Sequence, residues 1–430
     1  MSSDVNVRAG GNPVNVRNYR RLVPVIAGIC IQLCLGTAYI WGVFQVELIG
    51  LFGWSQATAA LPFSLLIFFM SVGCFVGGKV QDRFSPRPVI MIGGVVLGLG
   101  FMLAALTTAD RPWWIWLTYG VIGGFGMGTT YTSTIACCQK WFPDKRGLIT
   151  GCIVSALGFG GIIFTNIATP LIRTRGVLET FVWLGAIFIV VSLIGSQFIK
   201  NPPVDFHPAG LKSGSSKQII QRQFTPGEAV KTSQFYFISF TLMLACAAGF
   251  MVIPYAKTIG IAGGIAPETA TIGVMIISLF NSAGRLFWGW FSDKIGRRQT
   301  VLVLLVLAGS SIPCLIFAKS YLIFAIVALV AFSYGGFLGV FPSLTADYFG
   351  VKNVGANYGL VLLGFGLGSI IFTYTAGIFR DSGNFGTAFI IASLCSFAGV
   401  LIFLKLKSPA STEAMTDIVN RSDATIAIDA

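Results

Sequence analysis

One charged side chain stands inside an apolar stretch of this sequence. The segment FNSAGRLFWGWFSDKIGRR, residues 280–298, holds Arg285 eight positions before Asp293 and a short basic cluster. At 1.5 Å per helical residue, Arg285 would lie about 12 Å inside the end of an apolar helix. An ionisable group at that depth is costly unless it faces a protein interior and finds a partner, so Arg285 is a candidate functional residue.

The chemistry that suits a buried arginine is the binding of a carboxylate, because its planar guanidinium can donate two parallel hydrogen bonds. Asn281 lies one helical turn earlier on the same face and could orient the guanidinium or the ligand. The alternative is a structural arginine paired with a buried acid. None of the sixteen Asp and Glu residues lies in the middle of an apolar stretch, since even Glu47 and Asp347 stand near segment ends. The counter-ion is therefore expected to arrive with a substrate.

The elements that must position Arg285 are membrane-spanning helices. The 430 residues are 55% hydrophobic and only 10% charged, whereas a soluble domain is typically about 25% charged. Twelve apolar runs are long enough to cross a hydrocarbon core of about 30 Å. These runs, numbered span 1 to span 12, are approximately 23–46, 56–78, 88–108, 113–138, 148–172, 178–199, 233–257, 267–290, 299–318, 321–345, 355–379 and 385–405.

The net charge of +13 comes from basic residues that lie mainly on one side of the predicted membrane topology. With both termini inside, the inner segments hold 22 of the 29 Lys and Arg, the outer loops hold six, and Arg285 is the last. This bias is the positive-inside pattern, which predicts a multi-pass protein of the plasma membrane (a bacterial inner membrane) with both termini cytoplasmic. It argues against a nucleic-acid partner. The polar, basic start followed by an apolar run without a usual cleavage site predicts a retained first span rather than a signal peptide.

Metal, cofactor and enzyme chemistry have little support. All nine cysteines lie in apolar segments without a CxxC pair, and the single His207 lies in the central polar loop. The cysteines are expected to be free packing residues. Glycine clusters such as Gly124, Gly126 and Gly128 lack the strand context and the lysine of a phosphate-binding loop. We expect no cofactor, no metal and no enzymatic activity.

The sequence contains an internal repeat. LGFGGIIFT, residues 157–165 in span 5, recurs as LGFGLGSIIFT, residues 363–373 in span 11. GGKVQDRFSPRP, residues 77–88 after span 2, recurs as GWFSDKIGRR, residues 289–298 after span 8. The repeat predicts two six-span halves. The predicted divisions are a tail at 1–22, a bundle at 23–200, a linker loop at 201–232, a second bundle at 233–406 and a tail at 407–430.

Two parallel six-span halves resemble the major facilitator superfamily, whose substrate site lies near the bilayer midplane where the halves meet. The resemblance implies an all-α membrane protein of twelve helices in two pseudo-symmetric bundles. Its most specific residues form two turn motifs. The first latch motif is Gly78, Asp82, Arg83 and Arg87, and the second latch motif is Gly289, Asp293, Lys294, Arg297 and Arg298.

Each latch motif predicts a contact that must open as the halves rock. The glycine lets two helices approach closely, and the aspartate can pair with a base and with a helix N-terminus. In the first latch motif Ser85 and Pro86 stand where a Gly-Arg pair is usual, so this latch is expected to be the weaker.

A narrower resemblance is carried by GTAYIWGVF at 36–44, KWFPDKRGLITG at 140–151, FPSLTADYFG at 341–350 and NYGLVLLGFGLGS at 357–369. These segments look like the oxalate:formate antiporter family, which is related to the monocarboxylate transporters. The resemblance implies that further substrate-binding residues lie on spans 1, 4 and 10. They are Tyr39, Trp41, Tyr131, Tyr334 and Leu338.

The chain departs from its oxalate-exchanging relatives at Phe365, where they carry a second basic residue. One central positive charge matches a monoanion, since a dianion would leave a buried negative charge uncompensated. The expected function is secondary transport of a small monocarboxylate of the lactate, pyruvate or formate class, by a protein acting as a monomer. An oxalate-type dicarboxylate antiporter is the alternative, and a transporter-like carboxylate sensor is less favoured. Related monocarboxylate transporters carry an Asp where Asn281 stands, so the usual candidate for a proton-carrying acid is missing, and both proton symport and exchange remain open.

Overall fold

The computed structural model describes residues 18–203, 223–381 and 384–407. The predictions for the two tails and for the middle of the linker, including His207, therefore fall wholly or mostly outside the described residues. Within them, each predicted span corresponds to one helix or to one interrupted helix. Eight spans are uninterrupted. Spans 2, 3, 5, 6, 8, 10, 11 and 12 are Gln56–Arg83, Pro86–Ala104, Arg146–Arg175, Val177–Ser196, Pro267–Ile295, Leu322–Phe349, Val354–Asp381 and Phe385–Leu404.

The other four spans change helix type along their length. Span 1 comprises Asn18–Leu35, a 3₁₀ turn at Gly36–Ile40, and Trp41–Phe52. Irregular backbone at membrane depth is tolerated where it lines a cavity inside the protein, and the turn in span 1 carries Tyr39. The remaining segments are Pro112–Ile115, the π-helix Trp116–Gly123 and Gly124–Trp141 in span 4, Ser233–Ala245, Ala247–Val252, Ile253–Tyr255 and Ala256–Ala262 in span 7, and Arg297–Ser311 and Ile312–Ile316 in span 9.

Ten of the described helical segments are long and apolar enough to cross a membrane by themselves. Span 4 is less apolar, because its segment Gly124–Trp141 is rich in Gly and Thr and almost wholly buried. A span that is surrounded by other helices does not need an apolar surface, because its polar groups find partners inside the bundle.

The two halves, spans 1–6 and spans 7–12, meet through glycines. We call the end of the bundle that carries residues 79–87, 140–146 and 294–298 the basic end. There a Cβ on Gly78 would lie 2.2 Å from the Gly355 backbone, and a Cβ on Gly289 would lie 2.5 Å from the Gly147 carbonyl oxygen. No larger side chain fits at either contact, so spans 2 and 11 and spans 5 and 8 pack backbone to backbone.

The contact between spans 5 and 8 continues from the basic end to the centre of the protein. Gly151 faces the backbone of Arg285, and Gly158 faces the hydroxyl of Ser282. The Ser155 hydroxyl donates a 2.8 Å hydrogen bond to the Ser282 carbonyl oxygen. Spans 5 and 8 are therefore in contact over the whole depth between Arg285 and the basic end.

Candidate functional site

Arg285 is 1% exposed and ranks among the largest fully buried side chains of the described residues. Its Nε donates to Asn281 Oδ1 at 3.1 Å, and its Nη1 donates to the Val154 carbonyl oxygen at 2.9 Å. Its Nη2 donates to the Tyr39 hydroxyl. None of these acceptors is a carboxylate. Because a guanidinium has five N–H bonds, the three hydrogen bonds leave donor capacity for a ligand.

The two halves share Arg285. Asn281 lies on span 8 with the arginine, whereas Tyr39 and Val154 belong to spans 1 and 5 of the opposite half. Span 8 can approach span 5 closely because Gly151 faces the backbone of Arg285, and Gly335 and Gly339 of span 10 pack against the backbone of Asn281 and Arg285 within the same half. The arginine is thus held at the interface between the two halves.

A cavity of about 60 Å³ lies beside the guanidinium and is lined by fourteen residues from both halves. Since a water molecule needs roughly 10–15 Å³ by this measure, the cavity has room for a solute of a few atoms. Arg285 is the only charged residue among the fourteen. Six of the others are aromatic: Tyr39, Phe63, Tyr131, Phe250, Tyr334 and Phe365.

The cavity brings together most of the residues predicted from the sequence. Arg285 lines it together with five others, which are Tyr39, Tyr131, Tyr334, Leu338 and Phe365. Asn281 lies behind the guanidinium and contacts it through Nε, as its spacing suggested. The Phe365 ring packs 5.2 Å from the ring of Phe250, which in turn lies 6.0 Å from that of Tyr334. These rings form an apolar wall next to the charge.

Trp41, predicted together with Tyr39, does not line the cavity. Its indole N–H donates to the Ala59 carbonyl oxygen at 3.0 Å, and its ring packs 4.4 Å from the ring of Tyr119. Trp41 follows Tyr39 by two positions, which at about 100° per residue turns its side chain to the opposite face of the helix.

Sequence reasoning missed several residues of the site. Phe63, Ile67 and Met70 recur at helical spacing along span 2, and that stripe could have indicated a face turned toward the centre. Phe250 lies in span 7 close to an interruption of the helix. The Val154 carbonyl has no signal in the sequence, because every residue carries the same group.

A larger groove of about 750 Å³ lies between spans 8 and 10 and includes Phe280, Phe324 and Phe332 among its lining residues. None of the residues that line it is charged, so it offers nothing to pair with an anion. Arg285 lines the small central cavity instead. The central cavity can therefore bind an anion through a charged group, whereas the groove cannot.

The aspartate of the second latch motif caps a helix of the opposite half. Asp293 accepts hydrogen bonds from the backbone N–H groups of Gly147 at 3.1 Å and Leu148 at 2.8 Å, and it also pairs with Arg297. These N–H groups open span 5. A carboxylate at a helix N-terminus is stabilised by the helix dipole and by the free backbone donors.

The aspartate of the first latch motif makes the equivalent contact with span 11. Asp82 accepts a hydrogen bond from the Ala356 backbone N–H at 2.8 Å, and the Lys140 ammonium lies 3.4 Å from the other carboxylate oxygen. Arg83 and Arg87 are exposed and do not contact it. The basic partner of Asp82 thus comes from the end of span 4 and not from its own motif.

Only Arg297 among the basic latch residues contacts the aspartate of its motif. Lys294 lies over the Trp290 ring at 4.0 Å, and Arg298 donates to the Leu404 carbonyl oxygen at 3.0 Å. A second acid, Asp347 of span 10, joins the halves because it accepts from Arg146 at 3.1 Å and lies 3.3 Å from Nε of Arg297.

Comparison with known proteins gives the family. The model of the Major Facilitator Superfamily matches residues 26–263 and 238–416, which together span most of the sequence. The chain belongs to the Major Facilitator Superfamily. Its fold is also that of a solved superfamily transporter, FucP in the outward conformation, with a TM-score of 0.68 at 16% identity over 89% of this chain and 98% of that one.

Similar sequences within the superfamily are transporters. The chain is 34% identical over 358 residues to the uncharacterized MFS-type transporter YhjX of Escherichia coli (strain K12), covering 82% of this chain and 87% of the relative. It is 29% identical to the oxalate:formate antiporter of Oxalobacter formigenes, over 87% of this chain and 88% of the relative. It is 25% identical to monocarboxylate transporter 13 of Rattus norvegicus, over 86% of both proteins.

Proposed function

We propose that this superfamily member is a secondary active transporter of small monocarboxylate anions of the lactate, pyruvate or formate class. The observation that carries the proposal is the state of Arg285, which is buried at the interface of the two halves with only neutral acceptors. A buried cation without an anionic partner is costly, and a carboxylate from the substrate removes that cost. The names of the relatives point to the same class of ligand.

The charge of the cavity favours a monoanion. Arg285 is the one cation that lines it, and Phe365 with Phe250 fills the side where a second cation would have to stand. The small volume suits a substrate of a few atoms. An oxalate-type dicarboxylate antiporter is the second candidate, supported by the name of the Oxalobacter formigenes relative.

Alternating access follows from the latch contacts. We assign the basic end to the cytoplasm on the positive-inside pattern, with both chain termini on that side, in a bacterial inner membrane. The described conformation is then closed to the cytoplasm, and transport requires the contacts of Asp82 and Asp293 with the opposite halves to break. Each chain encloses its own central cavity, which supports transport by a monomer.

Uptake by proteoliposomes tests the proposal. Radiolabelled formate, pyruvate, lactate and oxalate are offered to the wild-type protein and to Arg285→Gln. Wild-type vesicles should take up at least one monocarboxylate at ten or more times the rate for oxalate, and Arg285→Gln should abolish that uptake. Arg173→Gln, an exposed arginine away from the site, is the control. Equal uptake of oxalate and monocarboxylates refutes the charge-matching argument, and unchanged uptake by Arg285→Gln removes Arg285 from the site.

A further inference from the structure

Three buried polar side chains form a cluster between the central cavity and the basic end. Gln139 of span 4, Thr150 of span 5 and Ser343 of span 10 are each at most 1% exposed. Gln139 Nε2 donates to Thr150 Oγ1 at 2.8 Å, and the Thr150 and Ser343 hydroxyl oxygens lie 3.2 Å apart. The cluster therefore joins the two halves through a hydrogen bond of hydroxyl groups.

The cluster lies midway in a series of polar contacts along one face of span 5. Thr150 stands four residues after Arg146, which pairs with Asp347, and four residues before Val154, whose carbonyl oxygen accepts from Arg285. Residues four apart share one face of a helix and are separated by about 6 Å along its axis. The cluster is therefore about one turn from Arg285's partner and one turn from the last ion pair.

An apolar layer would close this interface at lower cost. The carbonyl oxygen of the Gln139 side chain is buried and accepts no hydrogen bond from any described residue. A buried polar atom without a partner costs free energy, whereas apolar residues of the same shape would not. The polar groups are thus better suited to an open interface than to the closed one.

The cluster has the chemistry of an anion-binding site that is built from neutral donors. Its members offer an amide N–H₂ group and two hydroxyl groups as donors, and none of them is acidic. Asp347, the acid one turn away from Ser343, is held by Arg146 and Arg297. When the halves separate, the bond between Thr150 and Ser343 breaks and both hydroxyls can turn toward a carboxylate.

We propose that Gln139, Thr150 and Ser343 form a second, transient carboxylate-binding station on the cytoplasmic side of Arg285. The station rests on the proposed function and exists only when the cytoplasmic side is open. It receives the carboxylate that leaves the guanidinium and holds it more weakly, because its donors are neutral. A sequence of sites that bind without trapping is what lets an ion pass. Substrate entering from the cytoplasm meets the station first, whereas substrate entering from outside reaches Arg285 without it.

Side-specific kinetics test the station. Transport of radiolabelled pyruvate is measured in right-side-out and inside-out membrane vesicles for the wild-type protein and for the double variant Thr150→Val, Ser343→Ala. Because hydrogen bonds to a charged ligand are lost, the cytoplasmic KM should rise about tenfold or more. The external KM should stay within about twofold, since the central cavity is unchanged.

Two variants control for packing and for folding. Thr345→Val alters a hydroxyl that is equally buried on span 10 but bonded within its own helix to the Phe341 carbonyl oxygen at 2.8 Å, and it should leave both KM values unchanged. Thr150→Ser keeps the hydroxyl and should retain the wild-type cytoplasmic KM.

The outcomes separate this proposal from the central site. If Arg285→Gln loses pyruvate transport but the double variant keeps its cytoplasmic KM, or raises both KM values equally, the station is refuted and the central site stands. If Arg285→Gln transports pyruvate normally, the central site is refuted while the side-specific KM still decides the station. A wild-type protein that does not transport pyruvate in either vesicle overturns the station as stated.

Discussion

At the level of single residues, the proposed substrate site depends on keeping a permanent anion away from Arg285. Its Nε is bonded to the neutral amide oxygen of Asn281 at 3.1 Å. A carboxylate at this position would occupy the guanidinium before the substrate arrives. In the proposed function, the neutral amide of Asn281 thus leaves the guanidinium available to a carboxylate from solution.

Asn281→Asp should therefore weaken monocarboxylate binding and make it dependent on pH. The new carboxylate is ionised at neutral pH and competes with the substrate, and a charge-assisted hydrogen bond of about 1.5–3 kcal/mol corresponds to roughly ten- to hundred-fold weaker binding. Protonation at low pH removes the competitor, so binding should recover as pH falls. Isothermal titration with pyruvate between pH 5 and pH 8 measures this.

The exposed Asn166 of span 5 supplies the control for that experiment. Asn166→Asp adds the same charge away from the cavity and should leave pyruvate affinity unchanged at every pH. Tight, pH-independent binding by Asn281→Asp would show that the amide does not govern access to Arg285.

Charge matching predicts the effect of Phe365→Lys. This ring lines the central cavity beside that of Phe250. A lysine would add a second cation opposite Arg285, so the ratio of oxalate to pyruvate uptake should rise by about tenfold or more, as one compensated charge is worth several kcal/mol in a buried site. Phe365→Met, which keeps the position apolar, should leave the ratio low. A folded Phe365→Lys protein that still rejects oxalate would contradict the assignment of specificity to charge.

The central residues differ in how well the sequence could predict them. Arg285 was predictable because a charge in an apolar stretch is expensive wherever it lies, and Asn281 followed from helical spacing. Trp41 was not, because its direction depends on the exact turn of span 1, where the helix changes type at Gly36–Ile40. The Val154 carbonyl became visible only when the backbone of span 5 was placed against Arg285.

At the level of elements, close packing of helices carries the closed state. The twelve spans were predictable from hydropathy, but the π-helix in span 4 and the 3₁₀ turns in spans 1, 7 and 9 were not, because they depend on packing around them. The contacts of the repeated glycines could be predicted in part. Their positions suggested close contacts, and Gly78 does face the Gly355 backbone.

Gly78→Val should open the basic end. A Cβ there would lie 2.2 Å from the Gly355 backbone, which cannot move aside as a flexible side chain could. Overpacking of this kind costs about 1–3 kcal/mol, and only the closed state bears the cost. In a background without native cysteines, maleimide labelling of Ser343→Cys should therefore become at least fivefold faster.

A glycine on span 1 provides the matched substitution. A Cβ on Gly42 would meet no neighbouring atom within 4 Å, so Gly42→Val should leave the labelling rate of Ser343→Cys unchanged. Equal rates in the two valine variants would show that the contact between spans 2 and 11 does not limit opening.

At the level of the whole molecule, the sequence repeat becomes a pair of equivalent contacts between the halves. Asp82 caps span 11, and Asp293 caps span 5, the two spans that carry the repeated glycine-rich segment. The repeat predicted these motifs but could not predict their partners, because each aspartate contacts the opposite half. The repeat also did not predict Lys140, which reaches Asp82 from the end of span 4 in the same half, 58 residues away along the chain.

The two caps are unequal, which predicts different contributions to closure. Asp293 accepts two backbone hydrogen bonds and pairs with Arg297, whereas Asp82 accepts one backbone hydrogen bond and lies 3.4 Å from Lys140. Each charge-assisted hydrogen bond is worth about 1.5–3 kcal/mol. Asp293→Asn should therefore shift the equilibrium between the closed and the open state toward opening by roughly tenfold more than Asp82→Asn does.

Maleimide labelling of Ser343→Cys measures opening in both variants. Equal or reversed labelling rates would show that the closed state is not held chiefly by the second latch motif. Because opening at the basic end and binding at Arg285 share span 5, the same Asp293→Asn variant should also raise the cytoplasmic rate of substrate entry.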